Sequence, residues 1–363
     1  MAKWPEKFGA RKEMATEFLD KAAVESRDEL RQPWGEPLEG TQPGGGLGWS
    51  LERGWARLRR WMLRAFRPSY VRRMEHLRQG ECPNCPHDVV DSRDLKFVRN
   101  VCGYRFPPEA DPHGWRDRFW IARDGWAEIC LFGLPLLGLA FGAALLSPWL
   151  ALVPSALVVA VVLFFRNPRR PIPSGPGLMV APADGRVTDV TDVEHMPMVG
   201  GPAVRIGIFL SIFDVHVNRC PERGVVIDAR YRRGRFLDAR HPDAGVRNES
   251  TTILFRNDDL PGRYFVVRQV AGAVARRIVC YAGPGREFDR GDVLGLIKFG
   301  SRTELYVARD PDLEILVRPG QRVYAGESVL VRYGARAVSG GAGFSHESPS
   351  DSSNGQEEFD DAQ

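Results

Sequence analysis

Histidine and cysteine are scarce in this chain, with seven and six copies among 363 residues. The six cysteines are scattered and spell no disulfide framework, and Cys130, Cys220 and Cys280 read as isolated small hydrophobes. A strong excess of one charge sign is also missing. A net charge of +4 is mild and by itself points to no nucleic acid. The start, Met1-Ala2-Lys3-Trp4-Pro5, is polar and charged, so no secretory signal peptide is expected. Between residues 178 and 334 no long amphipathic helix is visible, which sets helical architectures aside for that stretch.

What is present divides the chain. Residues 1–48 are polar and end in Pro43-Gly44-Gly45-Gly46, which reads as a flexible linker. Residues 49–120 open on a basic amphipathic helix. Apolar side chains at 51, 55, 58, 61, 62 and 66 share one face, and Arg53, Arg57, Arg60, Arg64 and Arg67 mark the other. Such a helix lies on an anionic membrane or packs on the domain as a surface helix; the periodicity is the same in both. Further on, Cys82-Pro83-Asn84-Cys85 precedes Cys102, with His87 and His113 nearby. This is the pattern of a zinc ribbon with one ligand changed, and Cys82, Cys85, Cys102 and His113 would make one structural zinc site. A redox pair or unrelated thiols are the alternatives.

Residues 129–165 are strongly apolar. Ile129 to Leu146 carries no charge, Ser147-Pro148 breaks the run, and Trp149 to Phe165 is again uncharged. Each half has about the minimum length for a bilayer span, roughly 17 residues. Arg116, Arg118 and Arg123 precede the run, and Arg166, Arg169 and Arg170 follow it. Positive flanks on both sides predict a transmembrane hairpin with both ends cytoplasmic. A buried core hairpin is the alternative. Residues 335–363 are Gly/Ser-rich and acidic and read as a disordered tail.

The region 166–334 looks β-rich. Val204 to Leu210, Tyr264 to Val270 and Ala275 to Tyr281 read as strands. There is an internal echo: Pro284 to Leu294 and Pro319 to Val329 both read Pro-Gly-x-x-apolar-x-x-Gly-acid-x-apolar. Paired hairpins of this kind occur in compact sandwiches that carry biotin or lipoate. Between the copies lies Gly300-Ser301, where a sandwich would present an exposed turn. The predicted fold is therefore a mainly β sandwich or barrel-like domain with a biotinyl-like hairpin repeat. It follows a transmembrane helical hairpin and a mostly helical or irregular N-terminal region. One functional reading of the echo is a membrane-tethered carrier or binding module, with Lys298 as the modified residue. Its neighbours, however, lack the Met-Lys-Met or Asp-Lys-Ala setting of such carriers. A zinc-dependent adaptor is a third reading.

A different set of motifs runs in order from about 164 to 332. It comprises Phe164-Phe165-Arg166-Asn167-Pro168, Pro182-Ala183-Asp184-Gly185, Phe209-Leu210-Ser211 and Asp214-Val215-His216-Val217-Asn218-Arg219. Asn248-Glu249-Ser250, Gln269-Val270-Ala271-Gly272 and Phe299-Gly300-Ser301 complete it. This set resembles the phosphatidylserine decarboxylase family in its short, pyruvoyl-dependent form.

The resemblance implies a self-made cofactor. The Ser301 hydroxyl would attack the Gly300 carbonyl, a base taking its proton, to convert the amide into an ester. β-Elimination would then cut the chain and leave a dehydroalanine that hydrolyses to a pyruvoyl group at position 301. Glycine at 300 leaves the carbonyl open and tolerates unusual dihedrals. The pyruvoyl ketone would form a Schiff base with the serine headgroup and act as electron sink for loss of carbon dioxide. The product would be phosphatidylethanolamine, with no free cofactor and no metal in the chemistry.

His216 is the candidate acid–base residue. Asp184 would orient it or merely hold its turn. Longer members of the family carry a second histidine three residues on, which assists self-cleavage. Here that position is Arg219, which is no general base. Either His216 takes both tasks or another group supplies the base. Arg166 and Arg219 are candidates for the lipid phosphate, although Arg166, Arg169 and Arg170 also suit a plain membrane flank. The implied partners are a phospholipid substrate and the cell membrane, with the catalytic domain on the cytoplasmic side and no nucleic acid. Exposed β edges would allow a homodimer.

Overall fold

The computed structural model describes residues 36–37, 46–82, 85, 87–98, 102–241, 243–260, 262–273, 277–298 and 300–334. The polar stretch expected over 1–48 and the tail expected over 335–363 fall almost wholly outside the described residues, as does Phe299.

The first described helices are α1 (Gly46–Phe66) and α2 (Pro68–Leu77). Pro68 separates them: it cannot continue a helix but suits the first position of a new one. Residues 56, 59, 60 and 63 share one face of α1, and that face docks. Ala56 is buried there, and Arg59 and Arg60 both reach the buried carboxylate of Asp94. The apolar stripe through Trp55, Leu58 and Trp61 is a different face, and these three side chains are exposed, as is Phe66. The helix thus packs on the domain, though not by its apolar stripe.

A helical hairpin follows, made of α3 (Trp126–Leu146) and α4 (Leu152–Phe164). The two helices pack against each other, and their bases are tied by an antiparallel bridge between Ile121 and Arg166. The sequence predicts two membrane-crossing arms, and the described residues support one of them by length and composition. Among the described residues one helix, Arg123–Leu146, is long and apolar enough to cross a membrane. The second arm has 13 residues. At about 1.5 Å rise per residue it reaches roughly 20 Å, against a hydrocarbon core of about 30 Å. Residues 147–151 go into the turn, and Phe165 goes into the base, where it is buried.

The remainder is mainly β, as predicted. After the two-residue β1 (Glu36–Pro37) come β2 (Leu178–Val180), β3 (Gly185–Met196), β4 (Gly201–Leu210), β5 (Val217–Arg219) and β6 (Gly224–Arg232). Then follow β7 (Ser250–Asn257), β8 (Tyr264–Ala271), β9 (Arg277–Cys280), β10 (Glu287–Phe288) and β11 (Val293–Lys298). The last are β12 (Ser301–Ala308), β13 (Leu313–Ile315), β14 (Arg322–Val323) and β15 (Val329–Tyr333). The largest sheet has the order β1-β6-β7-β8-β12-β4-β3-β14, with β10 also on β6. Smaller sheets β5-β11-β9 and β13-β15-β2 accompany it. The main core contains Val204, Ile206 and Ile208 of β4, Leu305 and Val307 of β12, and Phe255 and Phe265.

The internal echo takes structural form. Gly285 and Gly320 have φ of 76° and 86°, and Gly291 and Gly326 have 86° and 77°, so both copies use the same left-handed turns. Each copy's short strand pairs with the start of a long one: β10 with β6 at Gly224, and β14 with β3 at Gly185. Those starts match as well, as Pro182-Ala183-Asp184-Gly185 and Pro221-Glu222-Arg223-Gly224. The sequence reading found the second half of each unit and missed the first, because its residues agree at two positions only.

Candidate active site

Ser301 does not lie in the exposed turn expected from the echo. It is the first residue of β12, an interior strand flanked by Leu210 of β4 and Ala271 of β8, and it is fully buried. Among the described residues its hydroxyl has no hydrogen-bond partner. An unpartnered buried hydroxyl is costly, on the order of 1–3 kcal/mol, and such groups call for a chemical reason.

The peptide before it is shaped by two glycines. Gly300 has φ of 54°, a left-handed conformation that glycine adopts without penalty. Gly272, just beyond β8, faces the Gly300 carbonyl. A Cβ there would come within 2.2 Å of the Gly300 oxygen. The Gln269-Val270-Ala271-Gly272 motif therefore leaves room for the Gly300 carbonyl. Asn248 fixes that motif by donating from Nδ2 to the Ala271 carbonyl at 2.8 Å.

His216 stands on the other side of the junction. Its Nε2 accepts the Gly300 N–H at 3.3 Å, and its Nδ1 lies 2.9 Å from the Asp214 carbonyl oxygen. A carbonyl can only accept, so Nδ1 carries the proton and the Nε2 lone pair faces the junction. Burial holds this imidazole down at about 4 rather than its ordinary 6.5, with the Asp214 carbonyl only partly offsetting the effect. At neutral pH the ring is an uncharged base. The Phe164 ring, at the end of the hairpin, lies 4.2 Å from it centroid to centroid.

Asp184 is elsewhere. Its Oδ1 accepts the Ala325 N–H at 2.8 Å, and its Oδ2 pairs with Arg170 at 2.7 Å. Burial raises its pKa. The described contacts make it the clasp between the 182–185 turn and the second echo copy, and they give His216 a backbone carbonyl as its orienting group. Asn218 does reach the site: its Nδ2 donates to Thr303 Oγ1 at 3.1 Å, and its Oδ1 accepts from Gln269 at 2.7 Å. Sequence reasoning carried Asn218 within a motif but gave it no role.

The two predicted phosphate ligands separate. Arg166 donates to the carbonyls of Leu163 and Phe213 at the hairpin base. Arg219 is fixed by Gly291 O at 2.8 Å and Asn167 Oδ1 at 2.7 Å. It lines a cleft of about 600 Å³ together with Arg118, Phe119, Trp120, Arg169 and Arg170. Lys298 is buried, paired with Glu128 of α3 and 3.2 Å from the Asp124 carbonyl. A carrier lysine has to swing free in solvent, so this placement opposes the carrier reading. In the N-terminal region Cys82, Cys85 and Cys102 come together, and His113 is outside their group.

A hydroxyl without a partner among the described residues, a neighbouring carbonyl kept clear and a neutral imidazole at the Gly300 N–H are features that a precursor cutting itself at serine can use. Comparison with known proteins agrees. The profile of the phosphatidylserine decarboxylase family matches residues 158–331. A phosphatidylserine decarboxylase proenzyme of Rhodopirellula baltica is 42% identical over 240 residues, 66% of this chain and 99% of its own length. That of Carboxydothermus hydrogenoformans is 46% identical over 211 residues, 58% of this chain and 95% of its own. The chain belongs to the phosphatidylserine decarboxylase family.

Proposed function

We propose that this chain is the precursor of a pyruvoyl-dependent decarboxylase that turns phosphatidylserine into phosphatidylethanolamine and carbon dioxide at the cytoplasmic face of a membrane. The observation that carries the reading is the buried Ser301 hydroxyl, without a partner among the described residues, next to Gly300, whose N–H is held by Nε2 of the neutral His216.

His216 takes the Ser301 hydroxyl proton on Nε2 as the oxygen attacks the Gly300 carbonyl carbon. The C–N bond breaks, the former amide nitrogen becomes the free amine of residue 301, and an ester joins the two residues. Removal of the Ser301 Cα proton expels the Gly300 carboxylate and divides the chain. Water then replaces the nitrogen, which leaves as ammonia, and residue 301 ends as a ketone. That pyruvoyl ketone supplies an electron sink for the decarboxylation when a substrate amine is joined to it. With Arg219 bound to carbonyls and no base, His216 serves both stages.

The arginine-lined cleft suits a lipid phosphate. Arg170 and Arg219 are held rigidly by Asp184, Glu327 and Asn167, while Arg118 and Arg169 are exposed at its edge. The hairpin brings the bilayer to this place. Its apolar side chains, Leu134, Leu139, Phe141 and Leu146 among them, are exposed, while its base packs Phe164 and Phe165 against Val279 and Leu296. The exposed Trp55, Leu58 and Trp61 of α1 form a second interfacial contact amid arginines.

The test is intact mass of the full chain extracted from membranes, beside Ser301→Ala. Two chains divided at Gly300-Ser301, the smaller one blocked at its start, are expected for the wild type and one uncut chain for the variant. A folded wild type that stays whole and releases no carbon dioxide from phosphatidylserine would overturn the proposal.

A further inference from the structure

The N-terminal unit contains a group of side chains that the decarboxylase reading does not use. Cys82, Cys85 and Cys102 place their sulfur atoms within 4.8 Å of one another, and Cys85 Sγ lies 3.5 Å from Cys102 Sγ. A disulfide would need about 2.05 Å and would take two of the three. Thiolates about 2.3 Å from one tetrahedral zinc stand roughly 3.8 Å apart, close to the spacing here.

The backbone is built to bring them together. Gln79 and Arg105 exchange both backbone hydrogen bonds, at 2.9 and 2.8 Å, so the chain entering Cys82 runs beside the chain leaving Cys102. Directly inside that bridge the two chains touch. A Cβ on Gly80 would come within 2.2 Å of the Gly103 oxygen, and one on Gly103 within 2.5 Å of the Glu81 oxygen. Gly80 also has φ of 81°. Both positions therefore exclude a side chain for one result, the juxtaposition of Cys82 and Cys85 with Cys102. The Cys85 N–H turns back to the Cys82 carbonyl at 3.3 Å, which keeps these two cysteines close.

Among the described residues the apolar core of this unit is small, and the ion pairs of Arg59 and Arg60 with Asp94 add to it. Its buried apolar cluster is Ala56, Val89, Phe97 and Val98, with the half-buried Cys85, Leu95, Cys102, Tyr104 and Phe106 against it. So small a core leaves a chain segment dependent on a staple.

We propose that Cys82, Cys85 and Cys102 bind one thiophilic divalent cation, zinc, which staples the N-terminal unit. Three soft thiolates select zinc over magnesium or calcium. Binding releases the thiol protons to solvent, and a fourth tetrahedral position remains for water. His113 takes no part.

The experiment is metal analysis of the full chain purified under reducing conditions without chelator. One zinc per chain is expected in the wild type, and near-complete loss in Cys85→Ser and in Cys102→Ser. The His113→Ala variant retains the metal. Replacement of zinc by cobalt is expected to give a thiolate-to-cobalt charge-transfer band in the wild type, a readout that holds even where a serine variant fails to fold. Ser301→Ala, which cannot cut itself, is expected to hold the same zinc, so the outcome is separate from that of the decarboxylase reading. A wild type that binds neither zinc nor cobalt when reduced would overturn the site. Loss of metal in His113→Ala would overturn the three-thiol ligand set.

Discussion

The Gly300 N–H points at Nε2 of His216, 3.3 Å away, so the imidazole is held one peptide unit before the Gly300-Ser301 bond proposed to be cut. A general base in such a place contributes about 10²–10⁴-fold. His216→Gln is therefore expected to slow self-cleavage by a factor in that range, followed as the disappearance of the uncut chain with time. Cleavage at the wild-type rate would remove His216 from the reaction.

The same burial sets a pH dependence. His216 has a value of about 4 when folded and near 6.5 when free, so between those pH values the unfolded chain binds the extra proton. Stability is unaffected above this window and falls as pH drops through it, by on the order of 3 kcal/mol in all. Denaturant titration of Ser301→Ala at about pH 7 and about pH 4.5 reads this loss, and adding His216→Gln should remove most of it. Self-cleavage of the wild type is expected to persist at about pH 5, where a solvent-exposed histidine is mostly protonated.

Gly272→Ala tests the room left for the scissile carbonyl. The added Cβ, 2.2 Å from the Gly300 oxygen, must push that peptide aside. The expected result is a folded precursor that cleaves slowly or not at all, as judged by circular dichroism together with intact mass. Gly300→Ala adds no clash but places alanine at φ of 54°, at a cost of roughly 1–2 kcal/mol.

Lys298 and Glu128 join the strand before the cleavage site to the first turn of α3. Removing one member of a buried pair costs about 3 kcal/mol or more, because the other charge stays behind. Lys298→Met is expected to lower the melting temperature of the precursor and to loosen the hairpin base, seen as faster proteolysis near residue 124. An unchanged melting temperature would mean that the pair is solvated.

Helix α1 offers a membrane test independent of catalysis. Trp55→Ser with Trp61→Ser, both exposed, should leave the fold intact and weaken sedimentation with anionic vesicles several-fold. Equal sedimentation would assign membrane contact to the hairpin alone.

Much of the site was readable before the fold was known. Ser301, Gly300 and His216 stood out because their segments resemble the family, and the structure brings Gly300 and His216 into contact. The neighbours of those segments were not readable. That Asp184 clasps Ala325 and Arg170, and that Gly272 faces the Gly300 oxygen, depend on contacts between strands far apart in the chain. The apolar stripe of α1 was legible, and whether it meets a membrane or the protein was left open, since periodicity shows which residues share a face but not what the face meets.

Local chemistry is what the sequence alone determined: the β-rich domain, the apolar hairpin, the echo of two turns and the serine junction. Each rests on side-chain type at short spacing. Tertiary structure decided the rest. It placed Ser301 in an interior strand rather than an exposed turn, shortened the second apolar arm to 13 residues, buried Lys298 and left His113 outside the group of three cysteines. These outcomes turn on which distant segments pair, where a turn consumes residues and which groups lose water, and no local pattern carries that information.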